Sequence, residues 1–272
     1  MERLVLPKRD WVEMTWLDFR DGDPERWIAV APIAAVEQHG PHLPLGADAQ
    51  IAAAYLARAR ELLPAEVPAS FLPMLAVGSS EEHRAFPGTL TLAAETVIRT
   101  LGEIGQSVHR AGVRKFVIVN SHGGNAAAVE LAVRDLRVRL DMLAVACSWS
   151  GFGYPDGLFG AEELVHGIHG GAIETAILLA AHPDLVRRER AQNFVSAGVE
   201  MKREFRHLAI EQGARIGWMS QDLHASGAIG DAAAASAEKG KAALEFGARA
   251  FVELLGEVDR FDLARLKQGP GA

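Results

Sequence analysis

Two carboxylates and an imidazole stand close together in a glycine- and proline-rich stretch, residues 32–48. Glu37 and His39 are two residues apart, so their side chains point to the same side while the chain stays extended. Asp48 follows nine residues after His39 and can reach back to the same point. Oxygen and nitrogen donors of this kind suit a divalent transition metal such as zinc, manganese or iron rather than a thiolate site. The stretch therefore predicts a metal site.

The same three residues also fit ordinary structural roles. Asp48 comes at the start of a helix-like run, where an aspartate commonly acts as the N-cap. Glu37 fits a paired buried acid, and His39 fits a loop imidazole that donates to a carbonyl group. Residue spacing alone leaves the metal interpretation and the structural interpretation open.

Further residues suited to chemistry lie on later loops. His122 follows an apolar run and precedes Gly123 and Gly124, which let the backbone approach a ligand closely. His169 and Glu174 are five residues apart across the start of an apolar helix, close enough to share one site. These loops add two imidazoles, an acid and a flexible backbone to the candidate site.

Weaker patterns support two candidates for substrate binding. His83 lies beside Glu82 in a polar loop after an apolar run, where a lone histidine is also commonly structural or exposed to solvent. Trp149 lies in the aromatic, glycine-rich exit from a further strand. It is a candidate substrate wall, although a packed corner has the same composition.

Alternating strands and helices must position these loops. Apolar runs predict strands at residues 28–36, 70–77, 115–120 and 142–147. Helical spacing predicts helices at residues 49–63, 91–111, 126–140, 176–181 and 233–255. Ligand crevices of open α/β sheets form at the carboxyl ends of the strands, so Glu37 and His122 are expected at that edge. The alternation predicts the α/β class, as a three-layer α/β/α sandwich with a mostly parallel sheet.

The bulk composition limits the class of protein. A chain of 272 residues without a repeat, a low-complexity linker or a charge block is expected to form a single domain over residues 1–272. Lysine and arginine number 28, and aspartate and glutamate number 35, so the net charge is 28 − 35 = −7. This charge leaves no global basic surface, and we expect no nucleic-acid partner.

The sequence has no pattern of export or membrane insertion. Residues 1–7 have no apolar core of signal-peptide length, and no uncharged run approaches the ~18 residues of a membrane span. Cys147 is the only cysteine, so an intrachain disulfide is impossible, which fits a reducing compartment. We expect a cytoplasmic protein with no membrane partner.

Taken together, these segments resemble the creatininase family, the creatinine amidohydrolase-like metal enzymes. The resemblance is carried by Glu-Gln-His-Gly-Pro-His-Leu-Pro at residues 37–44 with Asp48, Glu-His at 82–83 with Phe-Pro-Gly-Thr at 86–89, Asn-Ser-His-Gly-Gly-Asn at 120–125, His169 with Glu174 and Thr175, and Gly-Asp at 230–231 with Ala-Glu-Lys-Gly at 237–240. The resemblance covers about residues 14–255. It implies the three-layer α/β/α fold, a two-metal site, hydrolysis of a non-peptide or cyclic amide, and commonly a hexameric assembly.

The resemblance also implies roles for individual residues. Glu37, Asp48 and His122 match the ligands of one metal ion. His39, Asp48 and a second acid match the ligands of the other ion, so Asp48 bridges the two. We expect two divalent ions per chain, with zinc ahead of manganese or iron.

This chain departs from creatininase at two positions. Creatininase has a glutamate two residues after the histidine that matches His122, whereas this chain has Gly124, and we assign the role of the second acid to Glu174. Creatininase also packs a tryptophan against its substrate ring, four residues before the histidine that matches His169, whereas this chain has Val165. Creatinine is therefore expected to be a poor substrate.

The expected function is that of a metal-dependent amidohydrolase, which cleaves a C–N bond of a small or cyclic amide through a metal-activated water. His169 is the expected catalytic acid for the leaving nitrogen, because an imidazole titrates near neutral pH. The residues expected to contact substrate are Trp149, Gly123, Gly124 and His83. Two alternatives stay open: a single-metal lyase or isomerase of a small carbonyl compound, and a non-catalytic ligand-binding relative. The resemblance further predicts a homo-oligomer, a hexamer.

Overall fold

The computed structural model of the chain describes residues 6–210 and 213–270. Residues 1–5, which form most of the N-terminal run examined for a signal peptide, lie outside the described residues. None of the helices within the described ranges is both long and apolar enough to cross a membrane.

A parallel four-stranded sheet forms the middle layer. Its strands are β1 (Ile28–Ile33), β2 (Ala69–Phe71), β3 (Lys115–Asn120) and β4 (Leu143–Ser148). They lie in the order β2-β1-β3-β4, and each neighbouring pair runs parallel. Every residue of β1 and β3 is buried, as expected for strands covered on both faces. All four strands therefore point toward one edge, where the loops that carry Glu37 and His122 follow.

Helices cover both faces of this sheet. The helices of the described residues are α1 (Trp16–Asp21), α2 (Ala47–Leu62), α3 (Ala94–Arg110), α4 (Ala126–Leu140), α5 (Ala161–His166), α6 (Ala172–Ala181), α7 (Ala197–Glu204), α8 (Ser220–Leu223) and α9 (Ala237–Arg260). Short strands are β5 (Asn193–Phe194), β6 (Leu208–Ala209), β7 (Ala214–Arg215) and β8 (Gly230–Asp231). Helices α2, α6 and α9 pack on one face, and α3 and α4 pack on the other. The predicted three-layer sandwich is confirmed.

The first two strands are shorter than predicted. β1 stops at Ile33 instead of residue 36, because the buried residues that follow bond to a loop rather than to a strand. The N–H of Ala34 donates to the carbonyl of Leu75 at 2.9 Å, for example. β2 stops after three residues, close to Pro73, which has no N–H for a strand ladder. Glu37 therefore lies on a buried loop beyond the strand rather than directly at its end.

Two helices begin earlier than predicted. α2 starts at Ala47 rather than at residue 49, and α6 starts at Ala172 rather than at residue 176. Asp48 and Glu174 consequently lie in the first turns of these helices. A carboxylate in a first turn is favoured by the free N–H groups and by the dipole of the helix. The fold thus places two acids at helix starts that face the carboxyl edge of the sheet.

The alanine-rich helix α9 packs inside its own chain. A Cβ added at Gly240 would overlap the carbonyl group of Ala176 in α6. A Cβ added at Gly247 would lie 2.6 Å from the ring of Tyr55 in α2. These small residues of α9 therefore let the helices approach each other within one chain. The expected homo-oligomer stays a prediction that rests on the family resemblance.

Candidate metal centre

Loops and helix starts at the carboxyl edge of the sheet bring the predicted metal ligands together. Glu37 lies on the loop after β1, and His122 lies on the loop after β3. Asp48 and Glu174 enter from the first turns of α2 and α6. Glu37 and His39 are 0% exposed and Asp48 is 2% exposed. Charged groups buried this deeply need a compensating partner.

The two ring nitrogens of His39 have different surroundings. Nδ1 lies 3.0 Å from the backbone carbonyl oxygen of Glu37, and since a carbonyl only accepts, Nδ1 carries the proton. Nε2 finds no hydrogen-bond partner among the described residues. It lies 3.5 Å from Asp48 Oδ1 and 3.8 Å from Glu174 Oε2. An imidazole that donates to a backbone carbonyl and turns its other nitrogen toward carboxylates has the arrangement of a metal ligand.

His122 repeats this arrangement from the opposite side of Asp48. Its Nε2 lies 2.9 Å from the carbonyl oxygen of Ser79, so the proton is on Nε2. Its Nδ1 lies 3.4 Å from Asp48 Oδ2. The two oxygens of Asp48 therefore face one imidazole each, which is the geometry expected of a carboxylate shared between two ions. This arrangement supports the predicted bridging role.

Glu37 is surrounded by imidazoles. Its Oε2 lies 3.2 Å from His122 Nε2, and its Oε1 lies 3.3 Å from His83 Nε2 and 3.5 Å from His169 Nδ1. Neither oxygen meets hydrogen-bond geometry with any described residue. Glu82 Oε1 lies 3.4 Å from the same nitrogen of His122. Two acids thus converge on His122 from different loops.

Three groups of side chains place their ligand atoms within 4.8 Å of one another. The groups are Glu37, His39 and His169; Glu37, Glu82 and His122; and His39, Asp48 and Glu174. The last group is the predicted second metal set. The group of Glu37, Glu82 and His122 differs from the ligands predicted for the first ion, because Glu82 takes the place of Asp48. The buried carboxylates and the unbonded nitrogen of His39 fit the two divalent ions that the resemblance implies.

Gly124 is required by the position of Glu82. A Cβ added at Gly124 would overlap both Glu82 Oε1 and His122 Nε2, and it would lie 2.5 Å from the carbonyl oxygen of Ser79. Gly123, by contrast, has no atom within 4 Å of an added Cβ. Creatininase has a glutamate at the position of Gly124. In this chain, the carboxylate of Glu82 occupies the space beside that position. The sequence indicated Glu82, beside His83, as a secondary candidate but assigned it no metal ion.

The carboxylates dominate the electrostatics of the centre. Burial alone would lower the pKa of His39, but the neighbouring carboxylates, Asp48 foremost, raise it to about 10. Burial likewise opposes protonation of His122, yet Glu37 helps to raise its pKa well above the ordinary value. Burial raises the pKa of Glu174 to about 7, against the effect of His39. The centre attracts positive charge, as protons on imidazoles or as metal ions.

Gln38, which sequence analysis did not single out, orients two further histidines. Its Oε1 accepts the N–H of Gly40 at 2.8 Å, so its Nε2 is the donor to His83 Nδ1 at 2.7 Å. Its backbone carbonyl oxygen lies 2.5 Å from His169 Nε2, which therefore carries the proton of that ring. His83 Nε2 and His169 Nδ1 are the nitrogens left to face the carboxylate of Glu37.

His83 and His169 are neutral near pH 7. Burial lowers the pKa of His83 to about 4. Burial and then the positive charge of His39 lower the pKa of His169 well below its ordinary value. The ring of His169 lies between those of His39 and His83, and its centroid is 4.1 Å from the centroid of each. A neutral His169 Nδ1 inside the centre is suited to accept a proton and to release it again.

Two cavities open onto the centre, with volumes of about 640 Å³ and 580 Å³. Both are lined by His122, Gly123, Ile168 and Glu174. Among the residues predicted to contact substrate, Gly124 and His83 line the smaller cavity and Gly123 lines both. The candidate metal centre therefore lies where the two cavities meet.

Trp149 lines the larger cavity but belongs mainly to the core. It is 4% exposed and stacks on Tyr55 with the ring centroids 4.5 Å apart. Val165 lies elsewhere, on a third cavity of about 430 Å³ together with Phe205. It lines neither cavity of the centre. A substrate ring bound in the larger cavity would thus contact only a small part of Trp149, and it would not contact Val165.

The fold and the site together define a three-layer α/β/α protein with candidate metal-binding groups at the carboxyl edge of its sheet. A family model described as "Creatininase: Creatinine amidohydrolase" matches residues 12–255. The chain belongs to the creatininase family, as its motifs predicted.

Relatives within the family have different names. A mycofactocin precursor peptide peptidase of Mycolicibacterium smegmatis is 38% identical over 160 residues, which are 58% of this chain and 59% of that protein. This chain thus spans less than two thirds of the length of that peptidase. A creatinine amidohydrolase of Pseudomonas putida is 30% identical over 202 residues, which are 65% of this chain and 74% of that protein. These two relatives are therefore named for different substrates, a peptide and creatinine.

Solved creatininases have the same fold. A structure described as "Creatininase Mn" has a TM-score of 0.69 at 26% identity, and the match covers 92% of this chain and 98% of that chain. A mutant creatininase of the Zn–Zn type has a TM-score of 0.71 at 26% identity, with the same coverage of 92% and 98%. These similar structures are named for manganese and zinc, two of the metals expected from the donor types of the centre.

Proposed function

We propose that this chain hydrolyses the C–N bond of a small or cyclic amide with the help of two divalent metal ions. The observation that carries the proposal is the buried Nε2 of His39, which lacks a hydrogen-bond partner among the described residues and faces Asp48 and Glu174. A carboxylate and imidazole centre of this kind suits zinc first, and manganese or iron as well.

The chain offers ligands for both ions. The side chains that would hold them are His39, Asp48 and Glu174 for one ion, and Glu37 and His122 with Asp48 or Glu82 for the other. Bound divalent ions supply an acidified water as nucleophile and polarise the oxygen of the amide. The protein's task is to fix the ligand atoms and to exclude bulk water from the centre.

His169 would carry the proton of the reaction. Its Nε2–H donates to the carbonyl of Gln38, which leaves Nδ1 facing the centre beside Glu37. Because the imidazole is neutral, Nδ1 can accept the proton that the attacking water loses and deliver it to the leaving nitrogen. The ring ends the cycle neutral, ready for the next substrate.

Creatinine is proposed to be a poor substrate. Stacking of a flat ring on an aromatic side chain contributes about 0.5–1.5 kcal/mol beyond area burial. Val165 cannot stack, and it lines the neighbouring cavity rather than the centre. Trp149 exposes only 4% of its surface. The substrate is therefore proposed to be another amide, one that does not depend on an aromatic wall.

Metal content and hydrolysis test the proposal together. The unaltered protein should contain two ions per chain by elemental analysis, and Asp48→Ala should lose both. Asp156→Ala, which removes an exposed acid from the lining of the larger cavity, should keep both. The zinc- and manganese-loaded protein should hydrolyse at least one amide from a panel of formamides, cyclic amides and short peptides faster than creatinine. One ion per unaltered chain, or full metal content in Asp48→Ala, contradicts the proposed centre.

A further inference from the structure

One arginine lines the smaller cavity together with three acids. Asp48, Glu82 and Glu174 line this cavity of about 580 Å³, and Arg215 of β7 lines it too. The side chain of Arg215 is exposed, and within residues 6–210 and 213–270 no carboxylate lies within the 4.0 Å of an ion pair with it. The lining of the cavity thus includes an arginine that forms no ion pair with a described residue.

The backbone of Arg215 is fixed although its side chain is exposed. On one side, the N–H of Ala214 donates to the carbonyl of His207 at 3.0 Å. On the other side, the N–H of Ile216 donates to the carbonyl of Ala209 at 3.1 Å. Two hydrogen bonds to the β6 segment therefore hold the residue in place, and only its side chain is left to move.

An apolar cluster docks this segment on the metal centre. Ile210, which is 6% exposed, packs in one cluster with Ile216, Trp218 and Ile229. Ile229 in turn exchanges two backbone hydrogen bonds with His169, at 3.1 Å and 2.6 Å. The segment that carries Arg215 is thus attached through its core to the loop that carries His169. Arg215 has a defined place relative to the reacting groups.

The acids of this cavity already have proposed partners. Asp48, Glu82 and Glu174 belong to the groups that would hold the two divalent ions. Arg215 is a further cation on the lining of the same cavity, and it forms no ion pair with a described residue. A guanidinium is suited to hold a carboxylate through two parallel hydrogen bonds.

We propose that Arg215 binds a carboxylate of the substrate, so that the amide cleaved at the centre belongs to a molecule with an anionic group on the side of the smaller cavity. This inference rests on the proposed function, because the metal centre fixes where the amide lies. It narrows the substrate class to amides that bear a carboxylate within reach of the scissile bond.

Two hydroxamates that differ by one carboxylate test the inference without turnover. Acetohydroxamate presents only a metal-chelating group, whereas succinic acid monohydroxamate presents the same group and a carboxylate. Calorimetric titration of the zinc-loaded protein should show that the second compound binds about five- to thirtyfold more tightly, the range expected for a partly exposed charge-assisted hydrogen bond. Arg215→Gln should remove this advantage and leave the affinity for acetohydroxamate unchanged.

Arg206→Gln is the matched control. It also removes one arginine charge, but from the lining of the neighbouring cavity of about 430 Å³. This variant should still bind succinic acid monohydroxamate more tightly than acetohydroxamate. Equal binding of both hydroxamates to the unaltered protein overturns the role of Arg215 and leaves the metal centre standing. Equal weakening of both compounds by Arg215→Gln also overturns it, since the residue then supports the centre rather than the ligand. Binding of neither compound overturns the metal centre, and the inference with it.

Discussion

On three imidazoles of the centre, a backbone carbonyl rather than an acid fixes which ring nitrogen carries a proton. His39, His122 and His169 each turn one ring nitrogen to a main-chain oxygen, at 3.0, 2.9 and 2.5 Å. The other nitrogen of each ring is thereby committed to the carboxylates. An ion that binds to this nitrogen has to displace only a proton, and the ring itself does not need to turn, so the chain fixes the positions of the ligand atoms before any ion arrives.

Gly124→Ala should weaken metal binding. The added methyl group overlaps Glu82 Oε1 and His122 Nε2, and its third neighbour is the backbone oxygen of Ser79, which cannot turn away as a side chain can. We expect zinc affinity to fall about 10- to 100-fold, as is typical when the support of a ligand is disturbed. Competition with a chelator of known affinity measures the change.

Gly123→Ala supplies the comparison for this test. An added Cβ there has no atom within 4 Å, so zinc affinity should stay within about twofold of the unaltered protein, which is less than 0.5 kcal/mol. Equal losses in the two variants would show that the loop needs glycine for its backbone rather than for the space taken by Glu82.

Helix α6 connects the packing of the core to the chemistry of the centre. Glu174 lies in the first turn of α6, and two residues further on α6 contacts α9, where Gly240 approaches Ala176. An acid at the start of a helix moves with the helix. The close approach of α9 to α6 therefore also sets the position of a proposed metal ligand.

Gly240→Ala should destabilise the fold. The new methyl group meets the carbonyl group of Ala176, and overpacking of this kind typically costs about 1–3 kcal/mol. Gly256→Ala is the matched substitution in the same helix, where the nearest atom to an added Cβ is the flexible end of Arg260 at 3.4 Å. That variant should be neutral or more stable by up to about 1 kcal/mol, because alanine favours a helix over glycine. Urea unfolding of both variants measures the difference, and equal stabilities would show that α9 and α6 can separate without cost.

Removal of metal should lower the stability of the whole molecule. Ions that bind the folded chain add stability by mass action, about 2.7–4.1 kcal/mol at 100 to 1,000 times the dissociation constant. For a chain of this size that corresponds to a fall in Tm of about 5–15 °C on treatment with EDTA, reversed by added zinc. Asp48→Ala should show no such fall. An unchanged Tm in the unaltered protein would contradict an ion bound within the fold.

The limits of strands and helices were predicted well where polar residues or glycines mark their ends. β3 and α4 have the predicted limits, Lys115–Asn120 and Ala126–Leu140. β1 was predicted too long because its buried continuation has the composition of a strand but bonds to a loop. Burial is visible in residue types, whereas the choice of hydrogen-bond partner depends on segments that are distant along the chain.

The same limit applies to the site. The two-residue spacing predicted that Glu37 and His39 would point to the same side while the chain stays extended, and it assigned no role to Gln38. The chain is not a strand at these residues, and Gln38 contacts His83 and His169. The acids and imidazoles of the centre could be predicted from their types and from the family motifs. Their mutual contacts, such as that of Glu82 with His122, arise only when separate loops fold together.

The space shared by Glu82 and Gly124 restricts how this centre can change in evolution. A side chain at residue 124 and the present place of Glu82 exclude each other, and the carbonyl of Ser79 blocks the same space. A lineage that gains an acid at residue 124 therefore has to shift Glu82 and the backbone at Ser79 as well. The loop of residues 79–82 and the loop that carries residue 124 are expected to diverge together.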